Sequence, residues 1–418
     1  MTVPVSPGDF ASHSRLAAGE VPFAIEELFF SRTDGRGIIK GGNEVFQRVS
    51  GYPFEELIDA PHRIVRHPDM PKGVFHLLWA RLKRNLPTGA YVKNLCKDGR
   101  HYWVYALVSP IEGGYLSIRL KPSNLLRPKI EQIYATMLEE ENAGATPEQS
   151  SERLLDLLRD AGFSRYDAFQ ARAIGLESEA RNAATDRLVD HRLQRFMAMS
   201  DAIREVETES EGMMRAFEAI RTIPLNMRIL ASRLESAGGP ISAISVNYGS
   251  MSDEMAAWVR DFVTGDNSAF ARIQGAILNG LFLHGVSQLT DEMAAIYRNE
   301  ENRNDAVDPE LEVATLEALK RHYAEQGAAE LKQIELEAGR LSRSVLDMKR
   351  HITGLSSTRM MCKIESATLS KSGETLVGIV DQLDSSQDGI EERLARITEL
   401  NHLVQANTSM LRAGMGRV

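Results

Sequence analysis

The chain has 418 residues, 43% hydrophobic and 26% charged, with a formal net charge of −9 and two cysteines, Cys96 and Cys362. That length calls for more than one core, and the apolar fraction describes a folded chain rather than a disordered one. A disulfide framework and a cysteine zinc site are excluded. No run reaches the roughly 18 apolar residues of a membrane helix, since Gly275 to Val286 is interrupted by Asn279 and His284. Nor does the N-terminus read as a secretory signal, so the expected location is cytoplasmic. The charge is unevenly shared: residues 21–122 hold 15 Lys and Arg against 10 Asp and Glu, while the remainder is strongly acidic, and 13 of the 27 aromatic residues fall in the same stretch. Two kinds of domain are therefore expected, and nucleic-acid binding is disfavoured because no basic run or basic helix face occurs.

Residues 1–22 are small and polar and read as an N-terminal cap. Leu28–Ser31 and Ile38–Lys40 read as strands around the turn residues Asp34-Gly35-Arg36-Gly37. Gly41-Gly42-Asn43 opens a helix carrying Val45, Phe46 and Val49, which Ser50-Gly51-Tyr52-Pro53 closes. Ile64 to Pro71 is a rigid polar turn, with Arg66, His67 and Asp69 pinned between prolines ahead of an apolar helix with Trp79. Three strands follow, Thr88–Lys97, Arg100–Ile111 and Tyr115–Lys121, joined by Asp98-Gly99 and Gly113-Gly114 turns. The order predicts an α+β domain over 23–122, a five-stranded antiparallel sheet with flanking short helices.

These residues resemble a known family, the PAS domain, and specifically the PAS domain of bacterial aerotaxis receptors. The likeness rests on Asn43 with Phe46 and Val49-Ser50-Gly51-Tyr52, Pro61-His62, Val65-Arg66-His67-Pro68-Asp69-Met70-Pro71, Trp79, Val92-Lys93-Asn94, Asp98-Gly99, Tyr102-Trp103 and Leu116-Ser117-Ile118-Arg119. The resemblance implies a redox or oxygen sensor that holds FAD, with its ring between the helices and the sheet. It places Asn43, Arg66, His67, Asp69, Trp79, Asn94 and Trp103 at the cofactor. The side-chain chemistry agrees: an indole stacks on or edge-bonds a planar ring, an amide meets its imide edge, and Arg66 with His67 suits a pyrophosphate. Plainer readings stand beside these. Trp79 is equally a core residue, Arg66 and Asp69 an ion pair closing the turn, and Asn94 a strand-end cap. His67 and His76 raise heme b as the alternative cofactor, a cofactor-free scaffold is the other alternative, and Cys96 is read as core rather than as a thiol that forms an adduct.

Beyond Pro122 the pattern is helical. Lys129–Glu141 suits an exit helix, and Thr146-Pro147-Glu148 starts another within a helical linker over 123–195. From 196 to 418 an all-α helical-bundle or coiled-coil output region is expected. Phe196, Met199, Ile203, Val206, Met213, Phe217 and Ile220 form one heptad seam, which Pro224 should kink. A longer seam runs from Ile334 to Leu411, about 115 Å if unbroken, with Gly373 and Gly389 as possible breaks. It predicts helix partners and a homodimer. Arg233-Leu234-Glu235-Ser236-Ala237 echoes Lys363-Ile364-Glu365-Ser366-Ala367 and resembles a degenerate chemoreceptor hairpin tip, without the Gly-Arg-Gly-Phe-Ala-Val-Val-Ala segment that should follow. A signalling protein, the chemotaxis machinery among the candidates, is the implied partner. No P-loop, cyclase loop, phosphoacceptor histidine or metal-spaced cluster appears, so the chain is not expected to be an enzyme.

Overall fold

The computed structural model describes residues 19–123, 125–232, 238–263, 268–301, 307–368 and 373–415. Most of the expected N-terminal cap and the Arg233–Ala237 half of the internal echo lie outside them. The chain forms two units, Met1–Asp190 with Leu281–Gln326, and His191–Gly280 with Gly327–Val418.

In the first unit the five expected strands are present: β1 (Leu28–Asp34), β2 (Ile39–Gly42), β3 (Thr88–Leu95), β4 (His101–Ile111) and β5 (Gly114–Leu120). They form one antiparallel sheet in the order β2-β1-β5-β4-β3. The β3–β4 hairpin turns on Gly99 alone, whose φ of 89° suits a residue without Cβ, while the Asp98 carboxylate accepts from the Arg100 amide at 3.0 Å. Between β2 and β3 run α1 (Glu44–Ser50), α2 (Phe54–Leu57), a 3₁₀ turn (His62–Val65) and α3 (Lys72–Leu82). Gly51, at φ 72°, ends α1 as expected.

Both faces of the sheet are covered, so its strands are buried almost continuously instead of alternating between core and water. One face meets α3 and the 3₁₀ turn. The other meets α4 (Arg127–Asn142) and α6 (Tyr166–Ala184) only in part, while α5 (Pro147–Asp160) packs on α3; the rest of its cover arrives from residues 281–326. There Tyr297 stands edge-on to Phe30 at 5.0 Å, Phe282 lies over Gly89, and Glu312 accepts from Arg32 Nε at 2.7 Å. Tyr91 donates to Glu177 at 2.6 Å and Tyr134 to the Tyr91 carbonyl at 2.9 Å. Thr146 starts α5 with a reciprocal cap, its hydroxyl accepting from the Gln149 amide and its own amide donating to Gln149.

The second unit is a helical bundle built from α7 (His191–Ile220), α8 (Ile223–Ala231), α9 (Gly238–Val263), the start of α10 (Ala269–Arg298), the later part of α11 (Pro309–Thr368) and α12 (Gly373–Met415). Pro224 does not kink a continuous helix: the helix ends at Ile220 and α8 starts at Ile223, with the proline in its first turn where its missing N–H costs nothing. The long seam is not one rod. Helix α12 runs back along α11, since Asn401 donates to the Ala338 carbonyl at 3.1 Å and Arg359 pairs with Asp384 at 3.0 Å. Helix α12 also lies antiparallel to α7, through Arg396–Glu205 at 2.6 Å and Arg393–Glu209 at 2.7 Å. Gly389 sits inside α12 without breaking it. Ile334, Leu341, Ile352, Leu383, Ile397 and Val404 are buried within the chain, so the register by itself does not require a second copy.

Candidate functional site

A cavity of about 230 Å³ opens between the inner sheet face, α3 and the 3₁₀ turn. Strand alternation supplies its floor: Ser31 and Thr33 from β1, Val92 and Asn94 from β3, Ala106 and Val108 from β4, and Tyr115, Ser117 and Arg119 from β5. Phe75, Leu78, Trp79 and Leu82 of α3 form the opposite wall, and Arg36, Gly37, Pro61, His62, Arg63 and Arg66 complete it. The volume lies just below the roughly 300–1,000 Å³ of drug-sized sites, which suits a planar ring system rather than a whole dinucleotide.

Three residues expected at a cofactor meet here. Trp79 stands edge-on to Tyr115 at 5.1 Å and touches Gly37. Arg66 lies 4.0 Å over the Phe75 ring, and burial pulls its pKa below the ordinary value. Asn94 is 3% exposed, bridges through its backbone to Arg66, and leaves its side-chain nitrogen without a partner.

The other four stand elsewhere. Asn43 is consumed by β1, accepting from the Phe30 amide at 3.1 Å and donating to the Leu28 carbonyl at 3.0 Å. His67 accepts from the Asp69 amide at 3.0 Å and lies edge-on to His101; burial first, then the Lys93 charge, lowers its pKa to about 4. Asp69 pairs with Lys93 at 2.7 Å, so the ion pair of this turn is not with Arg66. Trp103 stacks on Tyr134 across the opposite sheet face. Neither His67 nor His76 lines the cavity. Cys96 donates to the Val49 carbonyl at 3.2 Å, with burial raising its pKa to about 12, and it too lies away from the cavity. Among the described residues no group of three or more His, Cys, Asp and Glu is placed to hold a metal ion.

Sequence reasoning missed the polar floor. Arg119 is 3% exposed, donates through Nη2 to Ser31 Oγ at 2.8 Å and to His62 Nε2, and leaves Nη1 without a partner. Burial lowers its pKa to about 10, so it stays charged at neutral pH. His62 stacks over Phe46; burial, with the Arg119 charge behind it, lowers its pKa to about 3, so the ring is neutral and Nε2 is an acceptor. Ser117 Oγ also lacks a partner. Period-two counting from Tyr115 puts Ser117 and Arg119 on one face, a signal present in the sequence. The lining holds four arginines and one histidine and no carboxylate.

These features fit a flavin ring: an aromatic wall, room for a planar ring, and unpartnered buried donors facing a ligand with acceptor edges. Comparisons with known proteins bear on the fold of this segment. Residues 41–117 match the family described as PAS fold. Over 141 residues the chain is 39% identical to the aerotaxis receptor of Escherichia coli (strain K12), an alignment taking in 32% of this chain and 27% of that receptor. The chain thus spans about a quarter of that relative's length. Two solved structures also align: the PAS domain of a Colwellia psychrerythraea protein (22% identity, TM-score 0.20, 22% of this chain and 85% of that one) and a light-oxygen-voltage domain from a study of a flavin analogue (19% identity, TM-score 0.22, 28% and 87%). At those scores neither adds to the sequence matches. The sheet order, the matched residues and the identity together make the segment that encloses the cavity an aerotaxis-receptor-type PAS domain.

Proposed function

We propose that the protein is a redox or oxygen sensor in which the PAS cavity holds the ring of FAD and the helices pass the change to a signalling partner, chemotaxis machinery being the first candidate. The observation that carries this reading is the cavity itself: Trp79 on one wall, Asn94 and Arg119 with unpartnered nitrogens, and no carboxylate in the lining. A bound flavin would supply reversible electron transfer. The chain's own residues would orient and tune it. The Asn94 amide and the Arg119 guanidinium offer donors to the ring's acceptor edge, Trp79 and Leu78 exclude water, and neutral His62 holds Arg119 in place.

The reading is signalling rather than catalysis. Ser31 Oγ lies 3.2 Å from His62 Nε2, a spacing that suggests a nucleophile and its base. The imidazole lone pair is already occupied by Arg119, however, and a pKa near 3 makes His62 a poor proton acceptor at neutral pH.

The test is an absorbance spectrum of the freshly purified full-length protein, before and after dithionite. Flavin bands that bleach on reduction, and that fall in Asn94→Ala or Trp79→Phe, support the proposal. A heme band would replace the cofactor. A protein that stays colourless after incubation with FAD would overturn the sensor reading in favour of a scaffold.

A further inference from the structure

Helix α3 supplies one wall of the cavity with Phe75, Leu78, Trp79 and Leu82, yet nothing beside it in the sequence caps its start. The residue before it is Pro71, which offers no side-chain acceptor to the free amides of the first turn, and Asp69 is already paired with Lys93. The cap comes from far along the chain. Glu141, in the last turn of α4, accepts from the Lys72 amide through Oε2 and from the Gly73 amide through Oε1, each at 3.0 Å, across 69 and 68 residues of sequence. Its negative charge also suits the positive end of the helix dipole. Ser150 of α5 donates to the same Oε1 at 2.6 Å and so fixes the carboxylate. Gly73 lets α5 come this close, since a Cβ there would stand 2.5 Å from the Ser150 carbonyl carbon and 2.6 Å from the Ser151 amide nitrogen. At the other end of α3, Arg81 donates to Asp167 of α6 at 2.7 Å and lies over the Tyr166 ring at 5.2 Å. The helix that walls the cavity is thus fastened at both ends to the helices that follow the sheet.

We infer that Glu141 is a positioning residue for the cavity: from the end of the exit helix it seats α3, and Trp79 with it, so that docking of α4 and α5 on α3 and retention of the ring ligand strengthen each other. The coupling rests on the ring-in-cavity reading above; the seating of α3 does not. Such coupling is reciprocal by thermodynamic necessity. A ligand held against Trp79 favours the docked helices, and helices that let go of α3 loosen the ligand. Arg66 gives Glu141 a second hold on the same site: burial lowers the Arg66 pKa, the Glu141 charge works against that shift, and Arg66 itself lines the cavity.

The test uses the full-length protein and three variants, Glu141→Ala, Glu141→Gln and Gly73→Ala. Hydrogen exchange without added ligand comes first. Loss of the cap in Glu141→Ala should speed exchange about tenfold in 72–82 and 147–160 and leave β4 unchanged. Glu141→Gln keeps an acceptor for the Gly73 amide and Ser150, so it should fall between Glu141→Ala and wild type. Gly73→Ala favours the helical state of α3 itself but forces α5 away, so exchange should speed in 147–160. Wild-type exchange in both Glu141→Ala and Gly73→Ala would overturn the seating. Release of FAD from the loaded protein, followed on dilution by the recovery of flavin fluorescence, then reads the coupling. It should speed about tenfold in Glu141→Ala and less in Glu141→Gln. Faster exchange with wild-type FAD release would overturn the coupling and leave Glu141 a structural residue. Should wild type bind no FAD, the flavin reading falls and the coupling with it, and exchange alone then decides the seating.

Discussion

Glu292→Gln and Glu312→Gln make the same chemical change in the same unit and are expected to have different consequences. Glu292 receives four hydrogen bonds, two from Arg181 at 2.6 Å and two from Arg187 at 2.6 and 2.7 Å. Arg181 is 2% exposed and also donates to the Ile25 and Glu26 carbonyls. Burial alone would raise the Glu292 pKa, but the bonds from Arg187 and Arg181 outweigh it and the net shift is downward. A depressed folded pKa gives stability that is present above the unfolded value of about 4.3 and is lost as pH falls through the folded one. Glutamine leaves Arg181 buried without a counter-charge, which costs about 3 kcal/mol, the low end for breaking a buried pair because one acceptor oxygen and the backbone partners remain. Glu312 is the reverse case. Its side chain is fully buried, accepts one bond from Arg32 and leaves Oε2 without a partner. Here burial outweighs Arg32 and the pKa rises, so stability falls as pH climbs from the unfolded value through the folded one. Glutamine removes that ionisation cost, and Glu312→Gln should lie between neutral and about 1 kcal/mol stabilising at pH 7. Hydrogen exchange of the full chain, read over residues 281–298 and 309–326, separates the two. Glu292→Gln should speed exchange roughly a hundredfold, since 1.4 kcal/mol is a factor of ten, while Glu312→Gln should not speed it. Near-wild-type exchange in Glu292→Gln, or an equal loss in both variants, would refute the reasoning.

Two further outcomes follow from the same geometry. Arg119→Gln removes a buried positive charge beside the proposed ring and should lower the flavin midpoint potential by roughly 60 mV, the one-electron equivalent of a tenfold change; an unmoved potential in spectroelectrochemical titration would take Arg119 away from the ring. Gly89→Ala would place a Cβ 2.2 Å from the Tyr105 hydroxyl, itself donating to the Gln170 carbonyl at 3.0 Å, and 3.2 Å from Phe282. Overpacking on that scale costs about 1–3 kcal/mol, so the melting temperature should drop by several degrees, and an unchanged melt would show that Tyr105 moves freely.

Much of the PAS fold was legible because its signals are local. Gly99 and Gly51 punctuate where positive φ is needed, and strand formers lie on either side of each turn. The position of Trp103 was legible too, though the resemblance led elsewhere. The Asp98-Gly99 hairpin pairs Asn94 with Tyr102 and Lys93 with Trp103, so Asn94 and Trp103 fall on opposite faces. Asn43 was less accessible, because its amide is spent on β1 backbone groups 13 and 15 residues away, and no local pattern announces such a tie. The heptads gave the apolar stripe of α11 and α12 but not the reversal between them, since a stripe is equally satisfied by another chain or by the same chain folding back. Least legible was the return of residues 281–326 to the sheet. Phe282, Tyr297 and Glu312 make that contact, and their partners lie more than a hundred residues earlier in the chain.

That return bears on how a sensor of this kind would transmit its signal. The exit helix expected over Lys129–Glu141, now α4, is one path. The sheet offers a shorter one, because successive residues of a strand face opposite sides. On β1, Ser31 bonds Arg119 in the cavity, while its neighbours Phe30 and Arg32 meet Tyr297 and Glu312. On β4, Val108 lines the cavity, and the next residue, Ser109, is buried on the opposite face. A change of charge at the proposed ring that moves Arg119 must move Ser31, and with it the backbone that carries Arg32. Glu312 is sensitive to such a movement: it is fully buried, has one bond, and its ionisation is already opposed by burial. A bias of about 1.4 kcal/mol there would change the populations of two arrangements tenfold. On this hypothesis exchange in 309–326 should respond to flavin reduction in wild type and lose that response in Glu312→Gln. A response confined to α4 in both proteins would return the route to the exit helix.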